Sequence, residues 1–129
     1  MDTKLIAQKL QALSPLVLRL GLAAVMIWFG ASQLNNPNAW TSLVPNWALS
    51  LSGMSALTVV YTNGFFEIIA GAMIAFGFWS RWAALFLALH LLVITADLGV
   101  NDIGIRDFGL SIALLAIAIN ETDAYCIKK

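Results

Sequence analysis

The sequence predicts an all-α fold: a polytopic membrane four-helix bundle with an N-terminal amphipathic interfacial helix. Three observations carry this. Hydrophobic residues make up 60% of the 129-residue chain and charged residues only 11%, with a mean hydropathy of +0.85, far from the balance of a soluble domain. The apolar residues come in long runs without strict alternation, and in lipid only helices or closed barrels satisfy the backbone; alternation would mark a barrel. Finally, Glu67, His90, Asp97, Asp102, Arg106 and Asp107 fall inside, or at one end of, three of those runs. Ionisable side chains in a membrane are costly unless they are paired, buried in protein or used.

The first 14 residues, MDTKLIAQKLQALS, place Leu5, Ile6, Leu10 and Leu13 near helical spacing with Lys4, Gln8, Lys9 and Gln11 between them. This pattern reads as an interfacial helix rather than a cleavable signal peptide. Ser14 followed by Pro15 is a start signal, a capping residue and then a proline in the first turn, so a first span is expected over residues 16–34. Arg19 lies one turn inside it, where its side chain can snorkel to the headgroups. Gly21, Ala24 and Ala31 here, and Gly64, Gly71 and Ala75 in the next span, are small residues suited to close helix contact.

The second span is expected over residues 59–79, the third over 81–98 and the fourth over 106–119. The last two are short against the roughly 17–25 residues of a typical span. Trp79-Ser80-Arg81-Trp82 reads as a tight interfacial turn and Asn101-Asp102-Ile103-Gly104 as another. The one long connection, Asn35 to Ser55, holds Pro37, Trp40, Pro45 and Trp47 without a single charge. Such a segment either lies on the membrane surface or folds back over the mouth of the bundle. One domain, residues 1–129, accounts for the whole length.

Orientation follows the basic residues. In this arrangement Lys4, Lys9, Arg19, Arg81, Lys128 and Lys129 fall on one side and only Arg106 on the other. A multi-pass protein of the plasma (cytoplasmic) membrane with both termini cytoplasmic is expected. Zero net charge and dispersed basic residues argue against nucleic acid as a partner. The lone Cys126 excludes an internal disulfide or a CxxC redox pair.

Depth then groups the polar residues. Glu67 lies about two turns into its span from the outer side, and His90 about two turns from the outer end of the next. Asn63 and Asp97 follow on the same helix faces, and Arg106 and Asp107 open the last helix. These six converge on one outer vestibule, with Gln33 placed to join from the first span. Glu67 is expected to pair with His90 or Arg106, either as a structural lock between helices or as a proton or substrate group. Asp107 sits where a carboxylate complements the helix dipole, and Arg106 needs Asp97, Asp102, Asp107 or a bound anion to offset its place at a helix N-terminus. Aromatic residues, chiefly Trp28 and Trp47, are the candidates to stack on a flat ring. No spacing fits a metal signature, so no metal site is expected.

The run Arg19-Leu20-Gly21-Leu22-Ala23 with Trp28-Phe29-Gly30, then Glu67 ahead of Gly71, an arginine-bearing turn, Leu89-His90, and Asn101-Asp102 through Arg106-Asp107 resembles the DoxX family of small four-span membrane proteins. The resemblance implies a polar site at Glu67, His90, Asp102, Arg106 and Asp107. It also implies an association with membrane oxidoreductase systems, since some relatives look like the membrane subunit of a thiosulfate:quinone oxidoreductase. The absence of cysteine near the site departs from sulfur handling. By this reading Glu67, His90, Arg106 and Asp107 act in chemistry, and Trp28, Gln33, Trp47, Asn63, Asp97 and Asp102 hold a ligand. There is no intrinsic cofactor, a quinone is the ligand, and electrons come from a redox protein partner. The alternative is a non-enzymatic scaffold or lipid-binding protein with a structural cluster. A small transporter is disfavoured by the lack of an inverted repeat, although the apolar surface permits a homo-oligomer.

Overall fold

Asp2, rather than Ser14, starts the first helix. In the computed structural model, which describes residues 2–120, 123 and 125–128, α1 runs unbroken from Thr3 to Asn35 with the Asp2 carboxylate accepting from the Lys4 N–H. Pro15 lies inside this helix. A proline removes one backbone hydrogen bond, and the Leu, Ala, Lys and Gln residues before it are good helix formers that carry the helix through. Residues 2–14 are exposed throughout. At about 1.5 Å per residue, α1 is roughly 50 Å long and overshoots a hydrocarbon core of about 30 Å.

The uncharged connection is structured. Two 3₁₀ turns, Pro37–Ala39 and Thr41–Leu43, lead into a short helix α2, Asn46–Ser52, which ends on Gly53 in the left-handed conformation. Three long helices follow: α3 (Ala56–Phe76), α4 (Ser80–Leu98) and α5 (Asp102–Ile119). Among the described residues there is no β-strand. Helices α1, α3 and α4 are long and apolar enough to cross a membrane. The packing runs in a ring, α1 on α3, α3 on α4, α4 on α5 and α5 back on α1. The core between them is Leu22, Ala23, Met26, Ala70, Ile74, Ala84, Leu87, Leu91 and Leu114 with their neighbours.

Boundaries differ from the expected ones for local reasons. Helix α3 stops at Phe76 instead of residue 79 because Gly77 adopts φ 68° and closes the helix, its N–H and that of Phe78 returning to Ile74 and Met73. Ser80 to Trp82, expected in a turn, are already the start of α4. Helix α5 starts at Asp102, four residues earlier than expected, because Asn101 caps it: its Oδ1 accepts from the Gly104 N–H at 2.8 Å, and its Nδ2 donates to the Leu98 carbonyl at 2.8 Å. One side chain thus closes α4 and opens α5.

The small-residue prediction is right for α3 and misplaced in α1. A Cβ on Gly30 would stand 2.6 Å from the Gly64 carbonyl oxygen, and one on Gly71 2.8 Å from Ile27. Gly21 has nothing within 4 Å, and Ala24 and Ala31 face outward. Gly30 and the buried Ala23 are the α1 residues on the face packed against α3.

Arg19 does not snorkel. It is 3% exposed and its guanidinium donates to the Ile74 and Ala75 carbonyls at 2.8 and 2.7 Å and to both oxygens of Asp123 at 2.9 and 3.2 Å. The last carbonyls of a helix are its negative pole, which a cation satisfies. Arg19 therefore joins α1 to the end of α3 and holds the C-terminal segment over that end. The segment is fixed again where the Trp79 N–H donates to Lys128 O at 2.8 Å and the Ile127 N–H to Phe76 O at 3.2 Å. Lys128 also lies over the Trp79 ring, 5.0 Å from its centroid. Of the basic residues expected on one side, Lys4, Lys9, Arg19, Arg81 and Lys128 share this end; Lys129 lies outside the described residues.

Two outcomes are expected. Gly30→Ala should lower stability by about 1–3 kcal/mol through overpacking, while Gly21→Ala should leave it unchanged or raise it by up to about 1 kcal/mol. Unfolding in detergent measures both, and equal behaviour would refute the close approach. The second concerns Asp123. Burial works to raise its carboxyl, but the Arg19 hydrogen bonds, the Tyr125 N–H and the guanidinium charge outweigh burial and hold it below the usual carboxylate range. Its contribution is therefore complete above the ordinary carboxylate value of about 4 and is lost only as pH falls below that. Hydrogen exchange of residues 125–128 should be slow and flat from neutral pH to about 4 once intrinsic rates are removed, and should rise beneath it. In Asp123→Asn it should be raised at every pH.

Candidate functional site

The close α1–α3 contact sets Gln33 beside Glu67. Gln33 is 3% and Glu67 4% exposed, and Gln33 Nε2 donates to Glu67 Oε2 at 2.7 Å. One turn away on α3, Asn63 Nδ2 donates to Gln33 Oε1 at 2.6 Å and to Glu67 Oε1 at 3.1 Å. Asn63 Oδ1 in turn meets Nε2 of His90 from α4. Four side chains from three helices form one continuous hydrogen-bonded chain. The expected direct pairing of Glu67 with His90 or Arg106 is corrected by this: two amides satisfy the carboxyl, and Asn63 stands between it and the imidazole. Phe66 and His90 pack edge to face with ring centroids 5.2 Å apart.

Arg106 pairs with its own neighbour. Its Nε and Nη2 donate to Asp107 Oδ1 at 3.0 and 2.9 Å, and its guanidinium carbon lies 4.5 Å from the Phe29 ring centroid. Arg106 was expected to open the helix as a cation at its N-terminus; α5 starts four residues earlier, so Arg106 lies beyond the first turn, and the buried Asp107 carboxylate and the Phe29 face hold its charge. Asp107 was expected to complement the dipole of the first turn. It lies beyond that turn, which contains Asp102 and is capped by Asn101, and it is 6% exposed.

These groups surround a cavity of about 210 Å³. Its lining draws on all five helices and the connection. Glu67 and Gln33, both buried, and Asn63 and His90, both half-buried, contribute the polar groups, Met26, Val60, Leu91 and Ile94 the aliphatic wall, and Phe29, Trp40 and Trp47 the aromatic wall. Asp97 and Arg106, both exposed, stand at the end of the cavity away from Arg19, with the buried Asp107 beside them. The long connection does fold back over the bundle: Trp40, Leu43, Val44, Pro45, Trp47 and Ala48 close the cavity from above, and the Trp47 indole N–H donates to Asp97 Oδ1 at 3.1 Å.

Eight of the ten predicted site residues, Gln33, Trp47, Asn63, Glu67, His90, Asp97, Arg106 and Asp107, line this one cavity. Two do not. Trp28 is 62% exposed because it sits on the outer face of α1, and its neighbour Phe29 takes the place expected of it. Asp102 is the exposed first residue of α5, outside the lining. Sequence reasoning missed Phe29 as the partner of Arg106. It also missed α2, whose ends Pro45 and Gly53 are a start and stop signal around a short apolar stretch. The Arg19 lock was missed too, although an arginine within a span faces protein by default.

A family model described as DoxX matches residues 14–99. That stretch takes in α1 from Ser14, all of α2, α3 and α4, and therefore Gln33, Asn63, Glu67 and His90. It ends before α5, so Arg106 and Asp107 stand on the geometry alone. None of the curated proteins or solved structures compared matches the chain. The matched segment covers two-thirds of the 129 residues and contains the helices that build the polar chain, and the protein belongs to the DoxX family.

Proposed function

We propose that this DoxX-family protein is a multi-pass protein of the plasma membrane whose cavity binds the head of a quinone or a similar amphipathic ring. The observation that carries the reading is the cavity itself: aromatic and aliphatic walls, a buried polar chain along one side, and room for one ring. An apolar cavity of about 150 Å³ holds benzene, so 210 Å³ admits a substituted ring while its tail stays in lipid. Pockets of this kind, apolar with a few placed polar groups, are the usual form of small-molecule sites.

In this reading α5 is a fourth span. Its polar residues Arg106 and Asp107 are matched to each other and its remaining face is apolar. Both termini lie on the cytoplasmic side, where Lys4, Lys9, Arg19, Arg81 and Lys128 gather, in keeping with the positive-inside rule. The exposed turns of α1 before Pro15 rest at the membrane interface. A bound quinone supplies two-electron redox chemistry, and a separate redox protein supplies or takes the electrons. Glu67 and His90 stand on the polar side of the ring, where each accepts or returns a proton as the ring changes oxidation state. Trp47 and α2 exclude water from above.

One observation favours a second reading. Gln33, Asn63 and Glu67 satisfy one another with good geometry, as a purely structural lock between α1 and α3 would. Purification in mild detergent followed by mass spectrometry of co-purifying lipids and quinones separates the two. The binding reading expects stoichiometric quinone with the native protein and its loss in Glu67→Gln with the fold retained. Absence of quinone, together with a variant that falls apart, would leave the scaffold reading standing.

A further inference from the structure

The hydrogen bonds around the cavity have a direction. Asn63 Nδ2 faces two acceptor oxygens, Gln33 Oε1 and Glu67 Oε1. Turning this amide over would set oxygen against oxygen, so Oδ1 must be the atom facing His90 Nε2. Nε2 therefore carries a proton and donates. In the neutral ring the other nitrogen, Nδ1, is an acceptor, and no donor among the described residues reaches it.

Asp107 is also half used. Both Arg106 bonds fall on Oδ1, and Oδ2 accepts none among the described residues. Glu67 accepts two hydrogen bonds, whereas a carboxylate offers about four lone-pair sites. The donors, by contrast, are spent. Gln33 Nε2 serves Glu67 and the Phe29 carbonyl, Asn63 Nδ2 serves Gln33 and Glu67, and the Trp47 N–H serves Asp97. The guanidinium of Arg106 retains free N–H groups, but it lies at the exposed outer end against Phe29.

The lining thus carries acceptors with capacity left, on His90, Glu67 and Asp107, while its free donors are those of Arg106, and the three carboxyl groups Glu67, Asp97 and Asp107 share that lining with one guanidinium. An anion is disfavoured there. A ring bearing two carbonyl oxygens sets acceptor against acceptor at its inner end, whereas a hydroxyl on the same carbon supplies the missing donor. Sites built to meet a hydroxyl discriminate strongly against the analogue that lacks it, because their own groups are left unpaired.

We propose that the cavity selects a phenolic or hydroquinone ring over the same ring in its quinone form, with one of the two open acceptors, Asp107 Oδ2 or His90 Nδ1, taking the single proton of its hydroxyl. The proposal rests on the reading of the cavity as a ring-binding site and adds which form it holds. Functionally, it makes the protein a receiver of the reduced carrier, or a site from which the oxidised form leaves readily.

Anaerobic titration calorimetry on the full chain in lipid nanodiscs tests this, with a short-chain benzoquinol and the corresponding benzoquinone as probes. The expected result is binding of the quinol at least about tenfold tighter. Asp107→Asn, whose amide presents a donor as well as an acceptor, should shrink that ratio by about fivefold or more. If Asp107→Asn does not fold, the ratio in the unmodified protein decides alone. Equal affinities, or tighter binding of the quinone, would overturn the selectivity and leave the ring-binding reading intact. Failure of both probes to bind would overturn both.

Discussion

The approach of α1 to α3 at Gly30 and Gly64 is the constraint on which the rest of the outer half depends. With hydrogen in place of Cβ at both positions, one helix backbone rests against the other. Only at that distance does an amide on α1 reach a carboxyl on α3. Gln33 lies three residues after Gly30 and Glu67 three residues after Gly64, so each polar group sits one turn from its glycine. In lipid, where apolar side chains gain nothing from burial against one another, small residues and polar contacts are what hold helices together. Here the two devices occupy neighbouring turns. The polar contact then extends through Asn63 to His90 and brings α4 into the same arrangement.

The opposite end is held by charge instead. Arg19 satisfies the terminal carbonyls of α3 and draws Asp123 over them; Arg81 Nε donates to the Ala118 carbonyl near the end of α5 at 3.0 Å. Cations thus meet helix C-termini at one end of the molecule, where the dipole favours them. The same residues account for the charge asymmetry that orients a membrane protein. At the other end Arg106, among the described residues, is held by both Asp107 and the Phe29 ring.

Much of this was legible in the sequence. Runs of apolar residues long enough to span gave the helices, and the depth of Glu67 and His90 along them gave a shared level, because helical rise converts residue number into distance. Asn63 and Asp97 followed from the 3.6-residue repeat. What was not legible had a common cause. In a helix that is apolar all round, periodicity no longer tells the protein-facing side from the lipid-facing side. Trp28 was therefore chosen over Phe29, and Gly21, Ala24 and Ala31 over Ala23 and Gly30. The Arg19 contact spans 104 residues to Asp123, and no local pattern announces it. Pro15 showed the opposite failure: a strong local signal for a helix start was overridden by the helix-forming residues on either side of it.

The polar chain rests on Glu67 being held by α1 as well as by its own helix. A double-mutant cycle between Gln33→Leu and Glu67→Leu, read by unfolding in detergent, measures that link most directly. The account predicts that the double variant loses less stability than the sum of the single variants by about 1–3 kcal/mol, as for a buried hydrogen bond whose partner would be left unpaired. Additive losses, agreeing within about 0.5 kcal/mol, would mean that the two side chains do not meet, and the polar chain across the bundle would have to be abandoned.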